Sequence, residues 1–209
     1  MEFNKQSTSV RSSASEAIID QGLRAYMLKV YNYMASGVLL TGLIALAFFK
    51  MAVVSEGNQI IGLTNFGNTI YASGLKWVIM LAPLAVVFYM SFGIAKMSAA
   101  KAQTTFWIFA ALMGASLSSI FLIYTGASIT RVFFITAGTF GAMSIYGYTT
   151  KKDLTKMGSF LMMGLFGIII ASIVNIFMKS TMMYFVISII GVLVFVGLTA
   201  YDTQKIKNS

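Results

Sequence analysis

Six long apolar runs, separated by short polar or charged stretches, divide the chain. They extend from Val30 to Phe49, Trp77 to Ala95, Thr105 to Tyr124, Val132 to Tyr148, Phe160 to Met178 and Met182 to Tyr201. A helix needs about 20 mostly apolar residues to cross the hydrocarbon of a bilayer, so the pattern predicts six transmembrane helices. The first two runs are joined by the one long connection, "KMAVVSEGNQIIGLTNFGNTIYASGLK", whose glycines and asparagines predict turns. The opening stretch "MEFNKQSTSVRSSASEAIIDQGLR" lacks the apolar core of a secretion signal. It reads as a flexible serine-rich tail, with "SEAIIDQGLRAYMLKV" as a short amphipathic lead into the membrane. The expected organisation is a tail over residues 1–27, a helical bundle over 28–204 and a short basic tail over 205–209.

Composition agrees with the pattern. Hydrophobic residues make up 58% of the 209 and charged ones 10%; a soluble domain carries about 25% charged residues. Too little polar surface is available for a water-soluble fold. The net charge of +9 points, in so apolar a chain, to membrane-flanking loops and anionic lipid rather than to nucleic acid.

The basic residues set an orientation. With the N-terminus cytoplasmic, the inner segments hold Lys5, Arg11, Arg24, Lys29, Lys96, Lys101, Lys151, Lys152, Lys156, Lys205 and Lys207. The outer segments hold Lys50, Lys76, Arg131 and Lys179. The excess on one side follows the positive-inside rule and predicts that both ends of this chain are cytoplasmic.

Helix faces can be read from small residues, which allow close approach inside a membrane. The third run offers Ala110, Gly114 and Ser118 beside Ala111, Ala115 and Ser119; the fourth offers Gly138 and Ala142; the fifth offers Gly167, Ala171 and Asn175. An amide in hydrocarbon is costly without partners, so Asn175 is expected either to bond a neighbouring helix or to line a wet cavity. Pro83, inside the second run, predicts a packing kink or a hinge.

Candidate chemistry is sparse. The chain has no cysteine and no histidine, which removes thiolate nucleophiles, imidazole bases and the usual zinc and copper ligands. A rhomboid-type protease would need a histidine. An intramembrane aspartyl protease would need a second membrane aspartate to share a proton with the first. Neither a P-loop nor a dinucleotide glycine motif is present, so no enzyme is expected and no cofactor. Of the acids Glu2, Glu16, Asp20, Glu56, Asp153 and Asp202, only Asp202 adjoins a membrane run. Its charge lies near the negative end of its helix dipole, so it does not serve helix stability. It is either a solvated interfacial acid near Lys205 and Lys207 or an acid on an ion or proton path.

Several stretches carry a resemblance. "LSSIFLIYT", "TAGTFGAMSIYGYTTKKDL", "IIIASIVNIF" and "VFVGLTAYDTQKIKN" together resemble the Bax inhibitor family, the transmembrane Bax-inhibitor-motif proteins, and most of all its bacterial inner-membrane branch. The resemblance implies an all-α bundle of two three-helix layers around a seventh, central helix, and a calcium leak gated by pH. It places Asp202 in the family's "YD" element with Tyr201 beside it, Asn175 in its "NIF" element and Asp153 in its "KKDL" loop. A second aspartate belongs to a seventh helix, and the chain is expected to stop short of it. Acid and arginine positions found around the second span of some relatives correspond here to Pro83 and, as a supporting site, Lys96.

Calcium prefers six to eight oxygen ligands, so Asp202 offers at most a weak, transient contact, as a leak requires. The expectation is therefore a pH-sensitive calcium leak in a bacterial inner membrane, with Asp202, Tyr201 and Asn175 on the ion pathway and Lys96 and Asp153 supporting. The alternative is a non-conducting modulator that binds other membrane proteins, in protease, stress or cell-death regulation.

Overall fold

A computed structural model of the chain describes residues 3–57, 59–124 and 126–209, with side chains from Gln21 onward. The expected serine-rich tail therefore lies mostly outside the described side chains, and Glu2, Glu16 and Asp20 with it.

Six long helices are present among the described residues: α1 (Phe3–Ala52), α2 (Leu75–Gly93), α3 (Ala99–Leu117), α4 (Gly126–Thr149), α5 (Thr155–Met178) and α6 (Thr181–Lys207). Each carries, alone or with the short helical turn that follows it, a segment long and apolar enough to cross a membrane. Their large apolar side chains, among them Phe92, Phe160 and Phe177, are mostly exposed. In a chain this hydrophobic that exposure is the lipid-facing surface. This is an integral membrane protein with an all-α body.

The chain divides into two compact units, and three of the spans belong to each. In Arg24–Ile129, α1 and α3 meet where Gly114 leaves no room for a side chain. A Cβ there would stand 2.5 Å from the carbonyl oxygen of Thr41. Thr41 Oγ1 in turn donates to the carbonyl of Ala110 at 2.9 Å. The small-residue stripe expected in the third span is thus a real contact face.

α3 breaks at Ser118–Ser119 before a last turn, Ile120–Ile123. Ser118 Oγ donates to the carbonyl of Ala115 at 2.6 Å, the local competition by which serine bends a helix. The hydroxyl of Tyr71 donates to the same Ser118 Oγ at 2.7 Å. Burial raises the Tyr71 pKa, and the hydrogen bond to Ser118 works against that rise. α2 passes through Pro83 without interruption.

The long connection is more ordered than its turn signals suggest. Val53–Glu56 and Gln59–Leu63 form an antiparallel hairpin, Val53 opposite Leu63, with an irregularity between Val54 and Ser55. Gly57 sits at φ 61°, a left-handed conformation that side chains rarely adopt. As expected, no further span occurs here among the described residues, and Val53–Val54 and Ile60–Ile61 supply the β-branched pairs that the turn residues join.

Candidate functional site

One compact unit joins the N-terminal segment up to Leu23 with Thr130–Ser209. The latter stretch holds most of α4 and all of α5 and α6, and its best-defined feature is the loop between α4 and α5. α5 and α6 are antiparallel: Gly158 faces Tyr201, Leu161 faces Gly197 and Gly164 faces Val194. The turn joining them is made locally. Lys179 takes a left-handed conformation at φ 50°, a place usually held by glycine. Asn175 compensates, its carbonyl accepting from Lys179 N–H at 2.8 Å and its Oδ1 from Ser180 N–H at 3.0 Å.

Asn175 is only 2% exposed. Its amide thus caps a turn within the α5–α6 hairpin rather than joining a separate helix, and Nδ2 has no partner among the described residues. Among the described residues, nothing outside their own helix backbone lies within 4 Å of where a Cβ would be at Gly138 or Gly167. The close approaches lie instead at Gly147, where a Cβ would stand 2.3 Å from the carbonyl oxygen of Ala200, and at Gly158, against the ring of Tyr201. The small-residue faces read from the fourth and fifth runs are corrected accordingly. Spacing marks where a helix can be approached, while the partner's register decides where it is.

At the other end of the hairpin, the last turns of α6 grip the α4–α5 loop. Gln204, 9% exposed, uses both ends of its amide. Its Oε1 accepts from Leu154 N–H at 2.9 Å, and its Nε2 donates to the carbonyl of Lys152 at 2.7 Å. Lys207 Nζ donates to the carbonyl of Tyr148 at 2.7 Å and lies 5.1 Å from the centroid of that residue's ring. The Tyr148 carbonyl is among the last four of α4, which have no partner within their own helix, so Lys207 caps α4 from a neighbouring helix.

The loop adds its own bonds. Asp153 Oδ1 accepts from the backbone N–H and the hydroxyl of Thr155, at 3.0 Å and 2.6 Å. The Thr155 side-chain and backbone hydrogen bonds, with a smaller contribution from Lys156, hold the Asp153 carboxyl below its ordinary range.

These contacts fix the rotation of α6 and so decide where Asp202 points. Ala200 packs on Gly147 and Tyr201 on Gly158, while Thr203 and Gln204 are buried. Asp202 and Lys205, one turn apart, occupy the remaining exposed face. Asp202 makes no hydrogen bond or ion pair among the described residues.

The residues singled out from sequence are brought together only in part. Tyr201, Asp202 and Asp153 lie at the same end of the unit. Asn175 lies at the opposite end, since Asp202 is about 30 Å of helix away from the turn that Asn175 caps. Lys96 is exposed in a one-turn helix, Ile94–Lys96, within Arg24–Ile129.

No group of three or more acid, histidine or cysteine side chains able to hold a metal occurs among the described residues. A divalent cation would meet the Asp202 carboxylate with water and carbonyls for its other ligands. The sequence reading missed Gln204. The signal available was a long amide three residues beyond Tyr201, on nearly the same helix face.

Comparisons with known proteins give the family of the chain. The family model described as "Inhibitor of apoptosis-promoting Bax1" matches residues 23–209. An uncharacterized protein of Rickettsia prowazekii is 47% identical over 197 residues, 94% of this chain and 78% of its own length. The inner membrane protein YbhL of Escherichia coli K12 is 46% identical over 200 residues, 95% of this chain and 81% of its own length. A protein of Caulobacter vibrioides is 41% identical over 207 residues, 99% of this chain and 82% of its own length. No solved structure matches.

Proposed function

The chain belongs to the Bax inhibitor-1 family, and from that premise we propose that it is a pH-sensitive calcium leak, gated by protonation of Asp202. On this reading it sits in a bacterial inner membrane, as the name of the relative YbhL says of that protein, with the N-terminus cytoplasmic. No cofactor and no catalytic group enters the proposal; calcium is the transported ion.

The observation that carries the reading is the placement of Asp202. It is an exposed carboxylate with no hydrogen bond among the described residues and with Lys205 as its charged neighbour, on a helical turn where Ala200, Tyr201 and Gln204 are held by Gly147, Gly158 and Leu154. Adding a proton there removes a charge from the loop end of the unit without breaking a hydrogen bond among the described residues. A carboxylate so placed attracts a divalent cation and, with few fixed ligands around it, also releases it.

The test is calcium entry into proteoliposomes holding the chain or its Asp202→Asn variant, at mildly acid and mildly alkaline pH. Flux that depends on pH in the parent and loses that dependence in the variant is expected. Folded protein with no flux above empty liposomes would remove the leak reading. The second reading, a non-conducting modulator of other membrane proteins, is favoured by Gly138 and Gly167, which no described side chain covers and which a helix of another protein could approach closely.

A further inference from the structure

We propose that the loop end of α4, α5 and α6 is a binding site for the headgroups of anionic phospholipids, taking a lipid with two phosphates in preference to one with a single phosphate. The inference does not depend on conduction. Lys151, Lys152, Lys156 and Lys205 are all exposed there. None of the four side-chain ammonium groups makes a hydrogen bond or ion pair among the described residues. Lys207 adds a fifth ammonium group, which keeps protons to spare beyond its bond to Tyr148. Among the described residues two carboxylates, Asp153 and Asp202, stand against these five cations, and Asp153 is already engaged by Thr155.

The cations are held in place by their backbone. The Gln204 amide fixes the carbonyl of Lys152 and the N–H of Leu154, so the paired lysines of the loop start from one position rather than sampling many. Less conformational entropy is then lost on binding. Lys151, Lys152 and Lys156 lie on the loop and first turn of α5, while Lys205 lies on α6. Two anchoring points of this kind match a headgroup with two phosphates better than a single one.

The level in the membrane identifies the source of the phosphate. Phe160 and Ile145 are lipid-exposed, and Phe160 follows Lys156 by one helical turn, about 6 Å. The lysines therefore stand at headgroup height beside the acyl chains, where basic groups between spanning helices recognise acidic lipids.

The experiment titrates the full chain in neutral detergent with cardiolipin, phosphatidylglycerol or phosphatidylcholine and counts retained lipid by native mass spectrometry. Cardiolipin is expected to bind more tightly than phosphatidylglycerol, and phosphatidylcholine weakest. The double variant Lys151→Gln/Lys152→Gln, at exposed positions, should weaken cardiolipin about 25-fold, at about fivefold per lysine. Gln204→Leu, which changes no charge, should weaken it several-fold, whereas Lys179→Gln at the far end of the hairpin should not.

Equal affinity for all three lipids, or a double variant that binds like the parent, overturns the proposal. Displacement of cardiolipin by inorganic phosphate at matched phosphate concentration overturns the lipid assignment in favour of a soluble anion. A Gln204→Leu protein that melts like the parent and binds with full affinity overturns the positioning role. Should that variant fail to fold, Lys151→Gln/Lys152→Gln still decides the site.

Discussion

Gln204 and Leu154 are fifty residues apart in sequence and joined by a 2.9 Å hydrogen bond from the loop backbone to the amide of α6. The same amide donates to Lys152, so one buried side chain satisfies two backbone groups of a loop. Replacing it with an apolar residue of similar size leaves both unmet. Gln204→Leu is expected to destabilise the protein by about 2–6 kcal/mol, at about 1–3 kcal/mol for each of the two polar groups left without a partner. Thermal unfolding in detergent, followed by helical circular dichroism, reads the loss.

Glycines of this unit fall into two classes. A Cβ at Gly147 would meet the backbone of Ala200, which has nowhere to go, whereas one at Gly167 would meet nothing within 4 Å among the described residues. Gly147→Ala is expected to lower the melting temperature or abolish expression. Gly167→Ala should leave it unchanged or raise it slightly, since alanine favours a helix by about 1 kcal/mol over glycine. Parallel melts of the two variants check this. Similar behaviour of both would contradict the packing of α4 on α6.

Tyr71 gives an alkaline prediction. Its hydroxyl has a raised pKa when folded, so the folded chain keeps a proton that the unfolded chain releases. Its contribution is complete below the ordinary tyrosine value near pH ~10 and declines as pH rises through the folded value. Tyr71→Phe should cost about 1 kcal/mol at neutral pH through the lost bond to Ser118. The gap between the two proteins should narrow above about pH 10, as unfolding at a series of alkaline pH values would show.

Asp153 gives the acid counterpart. Its folded carboxyl is held below the ordinary range, so its contribution is present above the unfolded value near pH ~4 and fades as pH falls through the folded one. Asp153→Asn should remove that part of the acid limb, and it is expected to do so without moving the neutral-pH melting temperature by more than a degree or two. Melting curves between pH 3 and 7 (about one unit below that carboxylate value and three above it) test the assignment.

Much of this architecture was legible before any coordinates. Five of the six apolar runs lie wholly within observed spans, and the third overruns by the single residue Tyr124, because hydrocarbon demands length and apolarity and little else. Burial of Asn175 was legible for a related reason: an amide in hydrocarbon is costly unless it turns inward to partners. Its partner was not, because the left-handed turn at Lys179 cannot be inferred from residue type. Nor could spacing alone choose Gly147 and Gly158 over Gly138 and Gly167, since that choice belongs to the facing helix. The hairpin was hidden by its brevity, two β-branched pairs among turn residues. Gln204 was hidden because one polar residue at a helix end has no periodicity to betray it.

The bond between Gln204 and the 152–154 loop also sets an order of events in time. On a ribosome adding about 5–20 residues per second, the loop is made roughly 3–10 s before the amide that fixes it. During that interval α4 and α5 are already long enough to enter the bilayer, while their connection is still free to move on the membrane surface. These two helices can therefore insert first and be locked when α6 is completed. A nascent chain arrested before residue 204 should show the loop open to protease, and one arrested far enough beyond Lys207 to clear the exit tunnel should show it protected.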